Sequence, residues 1–185
     1  PVSSCVITAD GSRIVSSSFD KTLRVWDLDH PSEMHALGVP QRPATHVGPV
    51  ADCAFSGDGS VLASASLDGS LQMHGSGSGL AWAAAPVQGG RVLACAASPN
   101  GDLAAAASVG ELGVWDVDRQ QQLGRLADNA ADCAFDGTGR YLVSAGGGMT
   151  VTLETTSSST AAVEGLRTDT EVVLWDTASW QPKTS

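Results

Sequence analysis

Four cysteines open the same phrase four times. It reads Cys5-Val-Ile-Thr-Ala-Asp-Gly11, Cys53-Ala-Phe-Ser-Gly-Asp-Gly59, Cys95-Ala-Ala-Ser-Pro-Asn-Gly101 and Cys133-Ala-Phe-Asp-Gly-Thr-Gly139, at intervals of 48, 42 and 38 residues. A phrase recurring at this period makes the chain an array of similar units, each too small to bury its own apolar face and stable only against its neighbours. The same spacing answers what the cysteines are for. Equivalent positions in four separate units do not form a disulfide framework, and the C-x₂-C-type spacing of a zinc site is absent. Each cysteine reads as a small buried hydrophobe on a strand.

The rest of each unit follows the phrase. A strand-like run comes after the glycine (residues 14–18, 61–66, 103–108 and 141–145), then a second turn and a third strand. That third strand ends at Trp26-Asp27, His74, Trp115-Asp116 and Trp175-Asp176, which lie 21, 21, 20 and 42 residues beyond their cysteines. The last distance is twice the others, so an insertion of about 146–168 separates the second and third strands of unit four. Within it Met149 to Glu154 alternates like an added strand or hairpin, whereas the Ser/Thr tract 155–160 suits a loop; both readings stay open. A fourth strand fits residues 33–37, 80–84 and 121–126, and another begins near Trp180.

Units of this length, each with four short strands and a terminal Trp-Asp, resemble the WD40 family of β-propellers, over nearly the whole chain. Ser16, Asp20, Trp26 and Asp27 match the family pattern in the first unit; His46, Ser64 and Asp68 match in the second, where His74 replaces the Trp. The third keeps Trp115-Asp116 with Val109 at the turn-Asp position, and the fourth keeps Ser144, Asp169, Trp175 and Asp176. The resemblance implies an all-β fold of about four four-stranded antiparallel blades (about 1–38, 47–85, 91–127 and 129–185). It also implies that they are a segment of a larger ring of about seven blades. In the family a His, Ser, Asp and Trp form a hydrogen-bond network that ties outer loops to each blade. No unit here carries all four, so a partial network is expected. An Asp in a tight turn accepts backbone N–H bonds, which makes Asp20, Asp68 and Asp169 structural carboxylates.

Charge and motif content narrow the function. The chain has 20 acidic and 10 basic residues and a net charge of −10, with lysines only at 21 and 183, so binding to nucleic acid or anionic lipid is not expected. No run of about 20 apolar residues is present to span a bilayer. Gly75-Ser-Gly-Ser-Gly79 fits neither a phosphate-binding loop nor a nucleophile elbow. His30, His35, His46 and His74 lack metal-ligand spacing, and Asp27-Leu-Asp29 and Asp116-Val-Asp118 read as turns rather than Ca²⁺ loops. Neither a cofactor, a metal nor a catalytic constellation is read here.

A non-enzymatic scaffold for other proteins is therefore expected. The alternative is a sensor or autoinhibitory portion of a multidomain signalling NTPase. Unpaired cysteines and the lack of an N-x-[ST] sequon point to an intracellular, cytoplasmic setting. Strand parity puts acidic turns (Asp10, Asp27, Asp29, Asp58, Asp116, Asp118, Asp136, Asp176) on one face. The opposite face gathers Phe19, Lys21, Arg42 and the insertion as the candidate partner-binding side. An open arc of four blades exposes two apolar end faces, which further blades from the same polypeptide or a second subunit should cover.

Overall fold

The computed structural model of the chain describes residues 1–30, 46–75, 90–127, 130–146 and 172–183 with their side chains. It describes residues 34–37, 81–83, 148–154 and 162–169 through their backbone. Four antiparallel sheets follow one another. The first is β1 (Val2–Ile7), β2 (Arg13–Ser18), β3 (Leu23–Asp27) and β4 (Met34–Leu37), and the second is β5 (Val50–Phe55), β6 (Val61–Ser66), β7 (Leu71–Gly75) and β8 (Ala81–Ala83). The third is β9 (Val92–Ala97), β10 (Leu103–Ser108), β11 (Glu111–Asp116) and β12 (Gln121–Ala127). The fourth is β13 (Asp132–Phe135), β14 (Tyr141–Ala145), β17 (Val172–Asp176) and β18 (Gln181–Pro182). Between β14 and β17 the insertion forms its own antiparallel pair, β15 (Gly148–Glu154) and β16 (Ala162–Asp169).

The register repeats with the sequence. Cys5 pairs with Ser16, Cys53 with Ser64, Cys95 with Ala106 and Cys133 with Ser144. Likewise Ile14 pairs with Trp26, Leu62 with His74, Ala104 with Trp115 and Leu142 with Trp175. Cross-strand partners share a face. In the second, third and fourth sheets the cysteine and the terminal Trp or His therefore look toward the preceding sheet, and in the first sheet Cys5 and Trp26 share an outer face.

The turn after each cysteine phrase is built one way. Gly11, Gly59, Gly101 and Gly139 all hold φ between 70° and 76°, a left-handed conformation that only glycine adopts without strain. Three residues before each glycine, a side-chain oxygen accepts an N–H from the next strand: Thr8 from Arg13, Ser56 from Val61, Ser98 from Leu103 and Asp136 from Tyr141. In the first three units that hydroxyl donates to Asp10, Asp58 or Asn100. In the fourth the partners are exchanged, and the Thr138 hydroxyl donates to Asp136.

The sheets stack face to face in chain order, with β1, β5, β9 and β13 adjacent in series. β10 shows what this stacking selects. Alanine is a poor strand former, yet Ala104 to Ala107 run through the centre of the third sheet fully buried, because both faces are covered. Ala104 and Ala106 pack with Trp115 toward the second sheet, while Ala105 and Ala107 pack with Trp175 of the fourth. Small side chains on one strand make room for an indole on either side. Among the described residues the two outer faces lack a neighbour. Cys5 is exposed, Ile7 is 58% exposed and Trp26 is 37% exposed at one end; Val172 is 72% and Leu174 38% exposed at the other. At the equivalent inner positions Cys53, Cys95, Cys133, Leu112, Val114 and Trp115 are buried, and Phe55, Ala97 and His74 are partly buried.

Candidate functional site

Two features concern function: the β2–β3 type of turn, which presents side chains to solvent, and the hydrogen bonds that hold it. In the first sheet Ser18 anchors the turn. Its backbone oxygen accepts from Lys21 N (3.1 Å), and its hydroxyl donates to Pro1 O at 3.0 Å while accepting from Asp20 N at 3.1 Å. Phe19 N donates to Pro1 O at 3.0 Å. Lys21 is held at φ 74°, the position that Gly69 fills in the second sheet. Asp20 accepts from both the hydroxyl and the N–H of Thr22, which hold its carboxyl below the usual range, and Arg24 stands 3.5 Å away. On this fixed loop Phe19 is 48% exposed.

Beneath the turns run the ties to the strands. Trp26 Nε1 donates to Ser16 Oγ at 3.0 Å, and Trp175 Nε1 donates to Ser144 Oγ at 2.9 Å in a buried setting. The second sheet assembles the fullest set. Asp68 accepts from Val47 N (2.7 Å), Gly48 N (2.9 Å) and both Ser70 groups. His46, 6% exposed, places Nδ1 2.8 Å from Ser70 Oγ and Nε2 2.8 Å from Ser64 Oγ, and His74 Nε2 stands 3.5 Å from that same Ser64 oxygen. Gly48 is required here, since a Cβ would come within 2.8 Å of the Asp68 Cβ. Burial works to raise the Asp68 pKa, but the bonds from Ser70 and Gly48 hold it below the ordinary carboxylate value. Burial pushes His46 down, with Asp68 opposing, and pushes His74 down to about 4, with His46 assisting.

The third and fourth sheets depart from this scheme. Ala106 stands where a serine would receive Trp115, whose indole instead lies over Gly113, where a Cβ would clash with the ring. Glu111, 2% exposed, takes the place of Ser70 and accepts from Gln122 Nε2. The exposed Val109 holds no turn carboxylate. Asp169 ends β16 opposite Gly148. Residues 170 and 171, which join it to β17, lie outside the described residues, and the expected turn at Asp169 lies there with them. Arg42 lies outside the described residues.

Sequence reasoning placed Ser16 with Trp26, Ser144 with Trp175 and His46 with Ser64 and Asp68, and the geometry brings each set together. It missed His74 as a member of the second set, Ser70 as the bridge to His46, and the Glu111–Gln122 pair. The bridge had a signal: Thr22 and Ser70 both stand two residues after the turn Asp.

Comparison with known proteins agrees with this geometry. The sequence profile of WD40, the WD domain or G-beta repeat, matches residues 1–27 and 41–74. The structure of U3-55K is similar with a TM-score of 0.75 at 19% identity, covering 98% of this chain and 50% of that one. The crystal structure of RRP9 WD40 repeats gives 0.74 at 19% identity, with the same coverage of 98% and 50%. At that identity the likeness shows the fold, and the chain spans half the length of both structures. In a sequence comparison with curated proteins, none matches.

Proposed function

We propose, from the premise that this is a run of WD40 repeats folded as blades of a WD40 propeller, that the chain is a non-enzymatic scaffold within a larger protein or complex. Its partners are other proteins, together with further blades of the same polypeptide or a second subunit on the two uncovered faces. The reading includes neither nucleic acid nor membrane, and it assigns an intracellular, cytoplasmic setting in keeping with four free cysteines.

One observation carries the proposal: Phe19, nearly half exposed, on a turn already fixed by hydrogen bonds to Pro1 and Ser18. Interface hot spots favour aromatics, and a loop ordered before binding loses little entropy when a partner arrives. Lys21 adds a cation to that turn, and the inserted hairpin occupies the corresponding β14–β17 connection. Phe19, Lys21 and the hairpin are the proposed binding side, to which Arg42 is assigned from its place in the sequence alone. The carboxylates, by contrast, are engaged in turns: Asp27 accepts from Asp29 N and His30 N, Asp116 from Arg119 N, and Asp176 from Ala178 N.

The test is capture of partners by the intact protein and by three variants: Phe19→Ala, Arg42→Ala and deletion of residues 149–166. Each should fold normally and lose partner binding. Full binding by all three, with loss on changing Asp58 or Asp116 instead, would place the interface on the acidic turns.

A further inference from the structure

His74 stands at the repeat position occupied elsewhere by Trp26, Trp115 and Trp175, and the junction it faces is built to receive an indole. Trp115 packs in the cluster that holds Ala63, Met73, Ala97 and Ala104. Trp175 packs in the cluster with Ala105, Val114, Phe135 and Leu142. Between the first and second sheets the corresponding four residues are Val15, Val25, Phe55 and Leu62. They line a cavity of about 190 Å³ together with His74. An imidazole is smaller than an indole, and this junction's cluster contains no Trp. The space left over is a vacated indole slot.

We propose that this cavity is a binding site for a small, neutral, planar aromatic molecule of the indole class. Size sets the lower bound: apolar cavities of about 150 Å³ take up a single benzene ring. The walls set the polarity, with Val15 and Val25 on the first sheet facing Phe55 and Leu62 on the second. Charge sets the remainder. Arg13 and Thr8 also line the space, but Asp10 and Asp27 interact electrostatically with Arg13, and the Thr8 hydroxyl already donates to Asp10 at 2.6 Å. With two carboxylates near one guanidinium, the mouth of the cavity carries no net positive charge. His74, kept neutral by burial, contributes none. A ring carrying a carboxylate or an ammonium would lose hydration without gaining a partner. A ligand in the slot touches both sheets, so it braces the first against the second.

The experiment follows 5-fluoroindole by fluorine NMR with the intact protein. Saturable binding is expected for the wild type and is lost in His74→Trp, where the indole returns to its slot and the thermal midpoint rises. Val25→Phe fills the same space from the opposite wall and should also abolish binding, which covers the case in which His74→Trp fails to fold. The 3-acetate of the same indole should bind about tenfold more weakly, or not at all. Undiminished binding in both variants, absence of saturable binding to the wild type, or tighter binding of the acetate would each overturn the proposal.

Discussion

Trp175 and Trp26 make the same bond to serines at the same register position, yet one is sealed and the other is not. Trp175 is 7% exposed among the third sheet's side chains, whereas Trp26 lies on an uncovered face. A buried donor that loses its acceptor bears the full desolvation cost; an exposed one turns to water. Ser144→Ala should therefore cost about 1–2 kcal/mol and Ser16→Ala about 0.5 kcal/mol or less, read as shifts in the urea midpoint of this chain. Equal costs would mean that Trp26 is covered. At this scale the sequence revealed which residue types stood at each repeat position, and so which serine faced which Trp. It could not reveal substitutes. His74 looks like a lost Trp until the fold sets it beside Ser64, and Glu111 looks like an ordinary strand residue until burial and Gln122 define it.

Elements were legible where local chemistry dictates them. Every turn after a cysteine phrase needs a left-handed glycine and an oxygen three residues earlier, and both are visible in the letters. The β10 alanines were harder, because their strand exists only through burial on both faces. So was the insertion, whose alternation was compatible with a loop or a hairpin until β15 and β16 paired.

The turns yield a prediction about exchange. Since Asp136 and Thr138 reverse the roles of Ser56 and Asp58, Thr138→Asp alone sets two carboxylates together and should lower the thermal midpoint. Asp136→Ser alone should lower it less. The double variant should recover most of the loss, a coupling that independent effects cannot produce. The second sheet adds a pH dependence. An unfolded His titrates near 6.5, while folded His74 titrates near 4 and His46 is also lowered. Between these values the unfolded chain binds more protons, so stability is complete above about pH 6.5 and falls as pH drops toward 4. His74 alone accounts for about 3 kcal/mol across that window. Chemical denaturation at pH 7 and pH 5 should show the loss, and His74→Phe should remove most of it. A flat profile in the wild type would contradict the buried neutral pair.

For the whole molecule, the four equivalent cysteines act as reporters of the stacking. Burial, with Asp52 assisting, pushes the Cys53 pKa up to about 11, and burial also raises Cys95 and Cys133. Cys5 is exposed on the uncovered face. Iodoacetamide should label Cys5 in this chain and spare the other three until it unfolds. In the intact protein the proposed further blade over this face predicts that Cys5 is also spared. Labelling of Cys5 there at the rate of an unfolded peptide would mean that the face stays open. Sequence reasoning could foresee such faces from the number of units. Which side chains lie on them follows only from the observed direction of stacking.

The cavity at the first junction also has a mechanical meaning. The other two joints are each wedged by an indole that spans from one sheet into its neighbour, and such a wedge resists both sliding and peeling. The first joint closes on Val15, Leu23, Val50, Cys53 and Leu62 without one. Load applied along the arc will gather at that seam. The first sheet is then joined to its neighbour without the wedge that each of the other two joints contains. The turn that presents Phe19 belongs to that first sheet, so the joint without an indole is the one that carries the aromatic.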